Sequence, residues 1–242
     1  MPIPETLNLA FFQALTFDCY GTLIDWEAGI LEALLPEYQK MDPDLDPDRL
    51  LVGFAQIQAQ QQKERPALPY PEILSRTYLE LGASFGKAPD EARSRRFAES
   101  LAGWPPFADT VAALDYLKDF YTLAILSNID NTSLAKTVER LRAPFAITVT
   151  AEETGSYKPD PRHFLEALAR LEKKGISRSK VLHVAQSKYH DIVPANGLGM
   201  KTVWVNRRSR KEGEGLSLPA EAEPTMVVVD LAELVAFHRK FV

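Results

Sequence analysis

The chain has 242 residues, enough for one large domain or for a core with a smaller inserted unit. A hydrophobic share of 45% and a charged share of 25% are ordinary for a globular protein, and a net charge of −5 speaks against a nucleic-acid partner, which draws a basic excess. The single cysteine, Cys19, excludes an internal disulfide and is expected to pack as a small hydrophobe. The opening Met1-Pro2-Ile3-Pro4-Glu5 lacks the basic and apolar regions of a signal peptide, and no apolar run approaches the ~18 residues of a membrane span. A cytoplasmic protein with no membrane partner is expected.

The first predicted strand is Ala14 to Phe17, ending on Asp18. A helical stretch follows. Asp25 is placed to cap a helix with Trp26, Ile30, Leu31, Leu34 and Leu35 on one face. After the break at Asp42–Pro47, Leu50, Leu51, Phe54 and Ile57 mark a second helix with Pro47 in its first turn. Ile73, Leu74, Tyr78 and Leu81 mark a third, and Pro89–Leu101 reads as a fourth. Nothing between Trp26 and Gly103 resembles a strand, so this stretch is expected to be an all-helical insertion.

Beyond Trp104-Pro105-Pro106 the pattern alternates. Val111, Leu114, Leu117 and Phe120 form a helix face, and Thr122–Leu126 is a short apolar run suited to a strand buried on both faces. A helix with Leu134, Val138 and Leu141, a strand at Ala146–Val149 and a helix with Phe164, Leu165, Leu168 and Leu171 follow. Strands are expected at Val181–Ala185, Thr202–Val205 and Met226–Val229, the last leading into a helix with Leu231, Leu234 and Val235. Alternating strand and helix predict an α/β fold, a doubly wound Rossmann-like parallel sheet interrupted by the helical insertion. The segment from Arg207-Arg208-Ser209-Arg210-Lys211 to Pro224 reads as a solvated loop.

Several strands end in polar residues, where ligands bind in open parallel sheets. Asp18 follows the first and is succeeded by Cys19-Tyr20-Gly21-Thr22; Ser127-Asn128 follow Leu126; Gln186-Ser187 follow Ala185. A loop, Tyr157-Lys158-Pro159-Asp160-Pro161, can return Lys158 to the same crevice, and Asp191 opens a further loop. Each element alone is weak. The ordered set Asp-x-x-Gly-Thr, Ser-Asn, Lys-Pro-Asp-Pro and an acidic loop resembles the motifs of the haloacid dehalogenase superfamily, over roughly residues 12 to 25 and 105 to 235. The resemblance implies a discontinuous catalytic core, residues 1–25 and 104–242, and a helical cap domain, residues 26–103.

Within that superfamily, phosphatases carry a second aspartate two residues after the nucleophile, and it serves as general acid for an alkoxide leaving group. This chain has Tyr20 there, whose ordinary pKa of ~10 suits that task poorly. The magnesium-binding pattern of those phosphatases is also altered: Gln186 stands where the first acid is expected, and Lys188 adds a positive charge. No metal and no cofactor are therefore expected. The phrase Asp18-Cys19-Tyr20-Gly21-Thr22-Leu23, with Ser127-Asn128 and Lys158-Pro159-Asp160, resembles the type II 2-haloacid dehalogenases.

That resemblance implies a small 2-haloacid substrate and water. It implies further that Asp18 is the nucleophile, that Lys158 holds it ionised, that Asp191 activates water, and that Thr22 and Ser127 stabilise the oxyanion. Tyr20, Cys19, Asn128, Lys188 and Gln186 are candidates for substrate binding. Departures are the lack of a cap arginine at Phe54–Gln58, with Arg49 and Arg65 nearby, and Phe164 where the family has tyrosine. Trp26, Trp104 and His163 are expected in packing or surface roles, and His190 behind or outside the site. Competing expectations are a phosphohydrolase with an unusual motif and a catalytically weak acid-binding homologue. A homodimer is compatible with the helical insert or with a sheet edge, and no seam in the sequence selects one.

Overall fold

The structure, a computed structural model, describes residues 7–209 and 215–242. The opening pentapeptide and Arg210 and Lys211 of the basic cluster lie outside the described residues. Six strands form one parallel sheet: β1 (Ala14–Asp18), β2 (Thr122–Ser127), β3 (Phe145–Thr150), β4 (Val181–Ala185), β5 (Lys201–Val205) and β6 (Met226–Val228). Their order is β3-β2-β1-β4-β5-β6, so the chain reverses direction across β1, with β2 on one side and β4 on the other. Ligand crevices form beyond strand ends at such a switch point. The fold is α/β and doubly wound.

Strand alternation sorts the core into two layers. Ala14, Ala124, Leu126, Ile147 and Val149 face one side, beneath α8 (Arg162–Lys173) and α9 (Val193–Gly197). Leu15, Phe17, Leu123, Ile125, Leu182, Val184 and Val203 face the other. Helices α5 (Thr110–Leu117), α6 (Asn131–Leu141) and α10 (Leu231–His238) contribute Leu114, Leu134 and Leu234 to that second layer. Short α7 (Ala151–Thr154) follows β3.

Between β1 and α5 the regular elements are all helical: α1 (Trp26–Tyr38), α2 (Pro47–Glu64), α3 (Tyr70–Ser84) and α4 (Glu91–Ser100), closed by a 3₁₀ turn at Leu101–Gly103. Asp25, Asp46 and Asp90 cap α1, α2 and α4 by accepting from Ala28, Asp48 and Arg93 amides at 2.9–3.1 Å. Leu50, Phe54, Ile73, Leu74, Leu81 and Phe97 are buried among them. No helix among the described residues is long and apolar enough to cross a membrane.

Three expectations need correction. Phe120 lies beyond the end of α5 and is exposed, because the chain turns at Lys118–Phe120 instead of continuing the helix. The segment after β5 is not simply solvated. Arg207 donates twice to the Thr22 carbonyl, at 2.7 and 3.2 Å, and to Asp109 at 2.7 Å; Arg208 pairs with Glu27 and Asp48 at 2.8 and 2.9 Å. His163, expected at the surface, is fully buried.

Trp104 packs as expected, against Phe97, Tyr20 and the backbone of α1 at Gly29. A Cβ added at Gly29 would come within 2.3 Å of the indole. Gly29→Ala is therefore expected to overpack this seam and cost about 1–3 kcal/mol, seen as a lowered thermal midpoint by calorimetry.

Candidate active site

The sequence turns sharply after β1 because Gly21 adopts a φ of +97°, which side chains with a Cβ rarely take. That turn brings Thr22 back over the strand end, where its hydroxyl donates to Asp18 Oδ2 at 2.7 Å. The Gln186 amide donates to the same hydroxyl oxygen at 2.9 Å, which ties the end of β4 to the end of β1.

Lys158 reaches this point from the loop before α8. Its backbone is clamped by the Asn128 side chain, which accepts from Lys158 N at 2.6 Å and donates to Lys158 O at 3.1 Å. All three ammonium hydrogens have acceptors: Asp18 Oδ1 at 2.8 Å, Asp191 Oδ1 at 2.7 Å and the Leu126 carbonyl at 3.0 Å. The three charged residues are buried, with Lys158 only 2% exposed and Asp191 0%.

Burial dominates the titration of each group, and the partners decide the outcome. Burial and the Asp191 charge hold the Asp18 carboxyl above its ordinary range, and the bonds from Lys158 and Thr22 only partly offset them. Burial would also raise Asp191, but Lys158 and His183 overcome it and bring that carboxyl down to about 2. Burial works against the Lys158 ammonium, yet two flanking carboxylates carry its pKa above the usual lysine range. Asp18 is thus the more basic of the two acids.

A cleft of about 380 Å³ of atom-free space, its open mouth included, lies over these groups. Asp18, Lys158, Asp191, Ser127 and Asn128 line it together with Tyr20. Ser187, at the polar end of β4, lines it as well; residues not anticipated there are Ile129, His190, Trp26 from the start of α1 and Tyr70 from the start of α3. Trp26 and His190 correct the expectation that both lie outside the cleft. Burial takes His190 down to about 4, so its imidazole is neutral at pH 7. Tyr20 faces the cleft, but its hydroxyl pairs with Thr137 Oγ1 at 2.6 Å, and burial pushes the phenol well above its ordinary pKa.

Three expected substrate contacts are not brought to the cleft. Cys19 is fully buried in the sheet layer opposite Asp18, as strand alternation dictates. The Gln186 side chain turns to Ser217 Oγ at 2.5 Å. Lys188 lies on a π-helical turn, Lys188–Ile192, which aims its ammonium over the Trp204 ring at 4.2 Å. Asn128 lines the cleft, but both ends of its amide hold the Lys158 backbone, which corrects the expectation of a free ligand-binding group. Neither nearby arginine fills the cap position: Arg49 stacks on Phe85, and Arg65 bonds Gln61 and Glu64.

His183 was not legible in the sequence, where it sits inside the apolar strand β4. It is fully buried and contacts Asp191 Oδ1 at 3.3 Å. Asp191 Oδ2 has no hydrogen-bond partner in the protein.

The carboxylates that meet here are Asp18 and Asp191, and both are bonded to one ammonium. Among the described residues no group of three His, Cys, Asp or Glu side chains is arranged to hold a metal.

A strand-end aspartate, a bridging lysine and a second acid thus meet under helices inserted after the first strand of a Rossmann-like core. The chain belongs to the haloacid dehalogenase-like hydrolase family, whose model matches residues 12–192. It is 30% identical to pyrimidine 5'-nucleotidase YjjG of Escherichia coli (strain K12) over 131 residues, 53% of this chain and 55% of that protein. It is 29% identical to the phosphoserine phosphatase of Thermus thermophilus over 171 residues, 69% and 64% of the two chains. The chain thus spans less than two thirds of either relative. The (S)-2-haloacid dehalogenase 1 of Pseudomonas sp. (strain CBS-3) is 28% identical over 214 residues, 83% of this chain and 87% of that one. Among solved structures, the L-2-haloacid dehalogenase PA0810 superposes with a TM-score of 0.75 at 26% identity, covering 96% of this chain and all of that one. The L-2-haloacid dehalogenase of Xanthobacter autotrophicus shares the fold, with a TM-score of 0.80, 20% identity and the same coverage.

Replacing Lys158 by methionine leaves two buried carboxylates facing each other without their cation. Both pKa values then rise above those of the unfolded chain, so folding takes up protons and the variant loses stability as pH rises. Lys158→Met is expected to cost about 3–5 kcal/mol near neutral pH, and the deficit in thermal midpoint should be smaller at pH 5 than at pH 8.

Proposed function

We propose that this protein is a metal-independent hydrolytic dehalogenase that converts short 2-haloacids to 2-hydroxy acids through an ester on Asp18. The observation that carries the reading is Tyr20, which stands where the family's phosphatases have their acid. Its phenol is occupied by Thr137 and holds its proton tightly, so it cannot protonate an alkoxide at neutral pH. The neutral imidazole of His190 is no substitute. A halide is so weak a base that its departure needs no proton donor. The cleft's small size and its walls of Trp26, Tyr70 and Ile129 suit a short acid with an apolar substituent.

In this mechanism an Asp18 oxygen attacks the carbon bearing the halogen and halide leaves with the bonding electrons. Lys158 keeps Asp18 oriented and ionised. Water, activated by Asp191, then attacks the ester carbonyl. The Thr22 hydroxyl, already donating to Oδ2, meets negative charge as it develops there, and Ser127 lines the same cleft. Residues 26–103 act as a cap domain over the core formed by residues 1–25 and 104–242.

A phosphohydrolase is the second reading, supported by the nucleotidase and phosphatase relatives. Chloride release from 2-chloropropionate enantiomers and chloroacetate, and phosphate release from a phosphomonoester, separate the two. Chelator-resistant chloride release, abolished in Asp18→Asn, is expected. Magnesium-dependent phosphate release without dehalogenation supports the second reading instead.

The pH profile follows from the site. Protonated Asp18 is not a nucleophile, so kcat/KM should fall as pH drops through its pKa, with a midpoint above the ordinary carboxylate value of ~4. Lys158 stays charged past the usual lysine range, so no basic loss is expected between pH 7 and about 10. Steady-state rates from about pH 4 to about pH 10 check both limbs.

A further inference from the structure

Two polar side chains interrupt the apolar layer between the sheet and α8. Ala14, Ala124, Leu126, Phe164, Ala167 and Leu171 make up much of that layer. Thr16 and His183 stand within it, 1% and 0% exposed. They are register partners across β1 and β4, so the sheet itself sets them side by side. Thr16 Oγ1 lies 2.9 Å from His183 Nδ1, and Nε2 lies 3.3 Å from Asp191 Oδ1. The Phe164 ring meets the imidazole edge to face at 5.0 Å, which fixes its plane. Burying a hydroxyl and an imidazole costs stability unless each finds a partner, and a leucine would fill this layer without that cost. Their partners are each other and the carboxylate.

An ionised carboxylate only accepts, so Nε2 must carry the hydrogen that faces Asp191. Thr16 Oγ1 engages the other side of the ring at Nδ1. The chain of hydrogen bonds links Thr16, His183 and Asp191 Oδ1, where Lys158 also donates.

We infer that His183, held by Thr16, is a positioning residue for ester hydrolysis: with Lys158 it pins Oδ1 of Asp191 and leaves Oδ2 as the oxygen that takes a proton from water. This rests on the ester mechanism proposed above. In that step the water oxygen attacks Cγ of esterified Asp18 and a water proton passes to Asp191 Oδ2. The bond from Cγ to the substrate oxygen then breaks, its electron pair stays on that oxygen, and the same proton is returned to it as the 2-hydroxy acid leaves. Without His183, Oδ1 is held by Lys158 alone and the carboxylate is free to turn. The first step, attack by Asp18, uses contacts of Asp18 with Lys158 and Thr22 that do not involve the imidazole.

The test is rapid-quench chloride release from 2-chloropropionate, with mass measurement of the Asp18 peptide. His183→Leu is expected to keep a burst of one chloride per site and then to turn over about 10- to 100-fold more slowly, with ester accumulating on Asp18. His183→Gln, whose amide N–H can reach the same carboxylate, should recover most of that loss. Thr16→Val, which removes only the anchor of the ring, should slow the same step by a smaller factor, and it carries the test should His183→Leu fail to fold. Equal slowing of both steps, no ester accumulation, or a His183→Gln variant as slow as His183→Leu would overturn the inference. No chloride release by the unaltered protein would instead overturn the ester reading, and the positioning role with it.

Discussion

One ammonium group organises this site. Lys158 Nζ is buried and spends its three hydrogens on Asp18, Asp191 and the Leu126 carbonyl. Each charge taken out of water costs several kcal/mol in desolvation. Two acids and one base leave a net negative charge in a dry place, so the shared proton balance must be uneven. Asp191, with a second donor in His183, holds the lower pKa, and Asp18 becomes the basic member. A basic, oriented carboxylate at the mouth of a small cleft is the chemical character a nucleophile needs.

The fold supplies that arrangement at several levels. The sheet reverses order at β1, which opens a crevice where Asp18 ends its strand. The turn at Gly21 and the clamp of Asn128 on Lys158 then lock two of the three charges to the backbone. Helices inserted between β1 and β2 bring Trp26 and Tyr70 over the top and narrow the cleft. The arginines after β5 connect the same turn to α1 and α2, through Thr22, Glu27 and Asp48.

The parts of this that were legible in the sequence are those tied to strand ends. Alternating strand and helix gave the parallel sheet, and Asp18, Ser127, Lys158 and Asp191 meet because each lies just past a strand or in a loop that returns to one. What escaped was side-chain direction. Cys19 and Lys188 adjoin site residues in sequence, yet strand alternation and a π-helical turn point them elsewhere. Gln186 is recruited by Ser217, thirty-one residues away, a pairing no local pattern announces. Tyr70 arrives from a separate helix, and His183 looked like one more interior position of a buried strand until the register set it against Thr16. Arg207 and Arg208 looked like solvated charge because their acceptors are far away in the chain.

The central claim is that Asp18 carries the reaction as a covalent ester whose carbonyl, not the substrate carbon, is attacked by water. A single turnover of 2-chloropropionate with excess enzyme in water enriched in ¹⁸O tests it directly. The account predicts the label in the Asp18 carboxylate and none in the 2-hydroxy acid. Label in the hydroxy acid with an unlabelled Asp18 peptide would contradict it.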